Sequence, residues 1–254
     1  VKRTAFLIVA LLLVQINFAQ TTNKKGILYF HEACGGFSLN TNGWNINGGF
    51  ANVKSMEKKI SFDFELRSLK NPKEVRQSMT SSITFGDTIN PKAFIYGKQN
   101  SLFTLSALAG STIDLGRKAD KSGVDVSLKY SAGLSLGMLK PYGLMLIYQN
   151  DSQSRSFLKS QTFDEAGEQK FLDWYSIYGG AGFLKGLGQT KFTPGAIAKV
   201  SLSFDWAEFD EYIKAIEVGV CLNAFTKKLP VMVVENNQQF YPSIYASIQL
   251  GKKW

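Results

Sequence analysis

The sequence predicts an all-β fold, a transmembrane, antiparallel, up-and-down β-barrel. Three observations carry that reading. Apolar and polar residues alternate with period two over long stretches. An export signal stands at the N-terminus. The last alternating stretch runs to the final residue, Trp254.

The alternation is clearest from Val124 to Met138. One face reads Val124, Val126, Leu128, Tyr130, Ala132, Leu134, Leu136 and Met138; the other is polar or tiny, from Asp125 and Ser127 to Gly137. Strands of soluble domains usually have about 5–6 residues, whereas a strand that crosses a bilayer needs about 9–11 tilted residues. This stretch exceeds both. The same pattern returns in Ile60–Arg67, Ala196–Trp206, Ile216–Ala224 and Ser243–Gly251, with weaker versions in 27–39, 44–56, 93–109 and 142–149. In a soluble sandwich the apolar face points to a core. In a membrane barrel it points to lipid. Strand length, the export signal and the terminal aromatic favour the second.

Composition agrees with strands and tight turns. The 254 residues include 23 Gly but only 6 Pro, and 13% are aromatic. Lys2 and Arg3 precede the apolar run Ala5–Val14, and a cut near Ala19-Gln20 would follow. That run is too short for a spanning helix, which needs about 20 apolar residues. Residues 1–19 are therefore expected to be a cleaved signal peptide, and 20–254 a single barrel domain. Losing Lys2 and Arg3 takes the net charge from +9 to +7. The basic residues are spread along the chain rather than gathered in a block, so nucleic acid is not an expected partner.

The alternating segments number nine, and termini that share one side of the membrane require an even count. A tenth strand near Leu172–Gly179 makes the expected total about ten, with eight the alternative. In that scheme 71–92, 180–193 and 227–237 are outer loops, and Asn42-Gly43 marks an outer hairpin. Residues 57–59 and 207–211 are short inner turns, and 150–171 becomes a long connection on the inner side.

The stretch from Tyr241 to Trp254 alternates to the last residue and ends on an aromatic of the same parity as Ile248 and Leu250. It resembles the C-terminal strand signal of the small outer-membrane β-barrels of Gram-negative bacteria. The resemblance implies the cell outer membrane as location and recognition by the barrel-assembly machinery. Family members more often end in Phe, so Trp254 is a departure. Trp44, Trp206 and Trp254 fall near ends of alternating stretches, as residues of an interfacial aromatic girdle should; Trp174 does so too.

Little in the sequence points to catalysis. Gly179-Gly180-Ala181-Gly182 lacks the strand–Gly–helix context and the Lys-Ser/Thr of a phosphate loop, and suits a flexible loop or a close-packed strand end. No cofactor or metal is expected. The single histidine, His31, lies at the inner start of the first strand without a Gly-x-Ser-x-Gly elbow, so an interfacial role outweighs a catalytic one. Cys34 and Cys221 are allowed a disulfide by an exported location, with two unpaired thiols preferred.

The inward parity is the informative chemistry. It assigns Glu32, Asp63, Glu65, Asp125, Asp205 and Glu217 to the lumen, with Arg67, Lys98, Lys129 and Lys199. Small barrels are filled by side chains, and mixed charges at close range favour pairing. A selective pore shows one dominant sign. Lys73, Arg76, Lys92 and Lys98 flank the longest outer loop as a solvated rim or a hold for lipopolysaccharide phosphates. The expected protein is a non-enzymatic outer-membrane barrel with a structural or accessory role. Its expected partners are outer-membrane lipid and, through its loops, an envelope protein. The alternatives are a small-solute channel, a lipid-modifying enzyme centred on His31, and a soluble periplasmic binder.

Overall fold

The computed structural model describes residues 29–55, 58–78, 92–118, 123–150, 155–209, 211–233 and 237–254. The expected signal peptide, 1–19, lies outside them. Eight strands close a barrel: β1 (His31–Asn40), β2 (Gly43–Ser55), β3 (Lys58–Leu69), β6 (Asn100–Gly116), β7 (Asp125–Pro141), β11 (Lys191–Asp205), β12 (Tyr212–Phe225) and β13 (Phe240–Lys253). Each pairs antiparallel with its neighbours in the order β1-β13-β12-β11-β7-β6-β3-β2. The intervening labels belong to strands outside the wall: β4 (Arg76–Gln77), β5 (Phe94–Ile95), β8 (Gly143–Asn150), β9 (Arg155–Thr162) and β10 (Ile177–Gly180).

Closure at eight is the lower of the two expected counts, and the difference lies wholly in β8 and β10. Alternation alone places both in the wall, yet they join β9 in a separate three-stranded sheet, β10-β8-β9. At 8 and 4 residues they are too short to cross a bilayer. The wall strands have between 10 and 17 residues.

Alternation settles which residues face inward. Ser61, Asp63, Glu65 and Arg67 of β3 are buried, while Phe62, Phe64 and Leu66 between them are exposed. Every wall strand repeats this. Phe37, Ile46, Phe64, Leu105, Leu134, Val200, Val220 and Ile248, one from each, are exposed on the outer surface. A one-residue slip in any strand would bring its charges outward.

The two ends differ. Phe30 and His31 donate backbone hydrogen bonds to the Trp254 carbonyl at 3.0 and 2.9 Å, so the start of β1 and the end of β13 meet at one rim. The β2–β3, β6–β7 and β11–β12 connections at that rim are short. The opposite rim carries the β3–β6, β7–β11 and β12–β13 connections, which are long. Short turns mark the periplasmic side and long loops the outside. Residues 155–171 therefore stand on the outer side, which corrects the long inner connection expected from sequence. That expectation followed from counting β8 as a wall strand.

The fourth outer connection is tight. Asn40 pairs with Gly43, so the hairpin turn spans 40–43, with Thr41 and Asn42 at its tip. Gly43 has φ +149°, and a Cβ there would lie 1.9 Å from the Ser68 carbonyl oxygen. Gly43→Ala should cost about 1–3 kcal/mol of backbone strain, read as a lower urea midpoint for unfolding from lipid vesicles.

Candidate functional site: a charged lumen beneath an outer cap

The centre of the lumen holds a charge network. Glu65 accepts from Arg67 Nη2 at 2.8 Å and from Lys199 Nζ, which reaches across from β11. Asp63 pairs with Lys129 of β7 at 2.9 Å. Glu217 of β12 accepts from Ser201 Oγ at 2.8 Å and from the Tyr245 hydroxyl of β13. Lys199 Nζ also lies 4.6 Å from the centre of the Tyr245 ring. Arg67 is fully buried and Glu65 is 2% exposed. Side chains from five of the eight strands are thus tied across the interior by hydrogen bonds to ionised groups, the stronger class of hydrogen bond.

Six of the ten charged residues assigned to the lumen meet here: Asp63, Glu65, Arg67, Lys129, Lys199 and Glu217. Asp125 and Asp205 do not. They sit at the inner rim and organise turns. Asp125 Oδ1 accepts from the Lys118 backbone N–H at 2.6 Å. Asp205 Oδ1 accepts from the backbone N–H of Ala207 and Lys214, and its other oxygen lies 3.7 Å from Lys253 Nζ. Glu32 lines the lumen as expected and pairs with Lys59 at 2.9 Å. Lys98 lies outside the wall in the β5–β6 connection, paired with Glu74. Its misassignment came from reading 93–109 as one strand, when the chain turns between Ile95 and Asn100.

Above the charges the outer mouth is filled by apolar side chains. Leu229, Val231 and Met232 of the β12–β13 connection pack against Leu69, Leu102, Leu139, Phe225 and Tyr241. The segment is held by its backbone: the N–H groups of Gln99 and Asn100 donate to the Val231 carbonyl at 2.9 and 3.1 Å. Asn237 Oδ1 in turn accepts from the N–H groups of Val231 and Met232. This stopper escaped the sequence reading. The run Leu229-Pro-Val-Met-Val-Val234 is apolar within a connection expected to be an outer loop, and that is its signal.

Beyond the mouth stands a cap with a core of its own. The sheet β10-β8-β9 and two helical turns, Phe163–Ala166 and Glu168–Leu172, enclose Phe94, Leu144, Leu146, Phe171 and Ile177. Trp174 belongs to this cap and not to a girdle: its ring lies 5.7 Å from Phe94 and 5.5 Å from Tyr96. Gly179 and Gly180 form a close-packed strand end. Gly180 N–H donates to the Lys92 carbonyl at 2.9 Å, and a Cβ on Gly179 would sit 2.7 Å from that oxygen. At the cap's base, Lys185 holds the carboxyl of Glu165 below the usual carboxylate range through a contact of 2.9 Å.

Trp206 and Trp254 are exposed at the inner rim, and Trp44, opposite Leu39, lies on the outer face near the outer rim. Polar interior, apolar outer belt and hydrogen-bonded closure occur together, and in hydrocarbon only a closed sheet leaves no unpaired strand edge. The chain is a transmembrane β-barrel of the outer-membrane type.

No protein-family model matches the chain, and no curated protein does. Solved structures of similar architecture include Neisserial surface protein A, with TM-score 0.41 and 8% identity over 89% of this chain and 97% of that one. Ail, the attachment invasion locus protein of Yersinia pestis, has TM-score 0.38 and 7% identity over 89% and 100%. The N-terminal β-barrel domain of Pseudomonas aeruginosa OprF has TM-score 0.36 and 8% identity over 88% and 96%. Likeness at this level is one of fold alone.

His31 stays at the inner rim. Its Nδ1 lies 2.8 Å from Asn52 Oδ1 and its ring 6.3 Å from Trp254. Cys34 and Cys221 are both free thiols. They flank β13 opposite Gly251 and Ser243, residues separated by roughly 26 Å of strand at about 3.3 Å per residue. Disulfides need Cα atoms within about 7 Å. Among the described residues no cluster of His, Cys, Asp and Glu has a metal-binding arrangement.

Proposed function

We propose that this chain is a non-enzymatic outer-membrane barrel that carries a folded cap at the cell surface for contact with another envelope or surface protein. The observation behind this reading is the pairing of a stoppered mouth with a cap that has its own apolar core. A conduit has no use for a stopper above a network of paired ions. A platform needs a rigid base and a shaped top, and both features supply rigidity. Lipid around the belt, and the barrel-assembly machinery acting on the β13 end, complete the proposed partners. Nucleic acid is not among them.

Planar bilayers test the closed lumen. The refolded full-length chain should leave the membrane silent. Reproducible conductance steps would replace this reading with a small-solute channel. Chemical crosslinking in the native envelope tests the platform. A photo-reactive residue at Phe157, exposed on the cap, should capture a discrete protein product. The same residue at exposed Leu250 of the belt should capture none. Equal results at both sites would count against a cap-specific partner.

A further inference from the structure

The connection 181–190 leaves the cap and returns to the wall along the outside of the barrel. Ala181 N–H donates to the Gly143 carbonyl at 2.9 Å, which starts it at the foot of β8. Gly186, at φ +84°, brings the chain so close to the top of β7 that a Cβ would lie 2.6 Å from the Pro141 carbonyl oxygen. Between these points Phe183 packs edge-on against Phe103, centroids 6.1 Å apart. Phe103 stands on the outer surface of β6, of the same parity as Leu105 in the apolar belt.

The segment has two unlike sides. Phe183 is 63% exposed, Leu184 78% and Leu187 46%. Opposite them, Lys185 pairs with Glu165 at 2.9 Å and Gln189 donates to the same carboxylate at 3.3 Å, tying the polar side to the cap. Lys140 Nζ lies 4.3 Å from the centre of the Phe183 ring and donates to the Phe183 carbonyl. Lys191 follows, largely exposed, and then Phe192, on the outer face of β11 opposite Met138.

We propose that residues 181–190 form a foot that seats the cap in the outer leaflet, with Phe183, Leu184 and Leu187 in the upper acyl region and Lys191, exposed beside its 3.3 Å contact with Asp164, at the head-group level. The proposal rests on the membrane-spanning reading of the barrel. Lipid is the occupant because the patch is continuous with the belt: Phe183 touches a residue of the lipid face itself. Aromatic and basic side chains are also the types that hold the boundary between hydrocarbon and head groups.

Depth-dependent quenching tests it in the full chain. Leu184→Cys, Val200→Cys in the belt and Ser156→Cys near the tip of the β8–β9 hairpin are each labelled with an environment-sensitive fluorophore. They are reconstituted in phosphatidylcholine vesicles with or without a nitroxide on the acyl chain. The labelled parent chain supplies the background from Cys34 and Cys221. Leu184 should lose a share of emission comparable with Val200, while Ser156 keeps its emission. Quenching at Val200 with Leu184 behaving like Ser156 would overturn the foot and leave the barrel standing. Absence of quenching at Val200 would overturn the membrane reading and the foot with it. Leu187→Cys gives a second position on the same side, should Leu184→Cys fail to fold.

Discussion

Glu65→Ala is expected to lower the unfolding free energy by about 3–5 kcal/mol, the usual cost of leaving a buried charge without its partner. Glu65 is the shared acceptor of Arg67 and Lys199, so its loss strands two cations in the closed interior. The double variant Glu65→Ala with Lys199→Met should recover part of the loss, since it removes one stranded charge with its partner. Urea unfolding from vesicles, followed by tryptophan fluorescence, measures both. A Glu65→Ala midpoint equal to the parent's would mean that water reaches Arg67 and Lys199, and the closed lumen would fall.

Leu134→Arg is expected to cost about 2–4 kcal/mol if the residue lies at the bilayer midplane. Leu134 is 77% exposed near the middle of β7, between Ala107 and Ala196, so a soluble fold would tolerate the change with little effect. The substitution therefore separates lipid from water at that surface. Lys252→Arg, at an exposed position beside the inner rim, should alter stability by about a few tenths of a kcal/mol at most, as surface substitutions usually do. Urea titration of both variants in vesicles and in mild detergent decides it. Equal midpoints for Leu134→Arg and the parent would show that no hydrocarbon covers the belt.

The faces of the long strands were legible because a period of two, sustained over twelve or more residues, leaves one self-consistent assignment. Asp63, Glu65 and Arg67 fall inward with Ser61 on no more than that argument. Alternation does not say what each face meets, and this is where β8 misled. Leu144 and Leu146 do share an apolar face, but it is turned to the cap core. Length was the available discriminator: eight residues are fewer than a crossing needs. The meeting of Glu65 with Lys199 was not readable, because partners across a lumen depend on stagger between strands, and stagger leaves no mark on the sequence. Asp125 and Asp205 shared the inward parity but lie where strands give way to turns, and backbone N–H groups there claimed them first.

β13 is hydrogen-bonded to β12 on one side and to β1 on the other, so the seam of the cylinder joins the first and last strands of the chain. Residues 32 and 253, at opposite ends of the polypeptide, are direct neighbours in it. Such contacts join residues far apart in the sequence, and loops of that size close late. Every intermediate before closure carries two raw edges, one on β1 and one on the most recent strand, and hydrocarbon offers neither a partner. Synthesis order thus makes β13 the zip of the structure: nothing upstream can become a finished cylinder until it arrives. A chain that stops short of Phe240 would be left as an open sheet rather than as a smaller barrel.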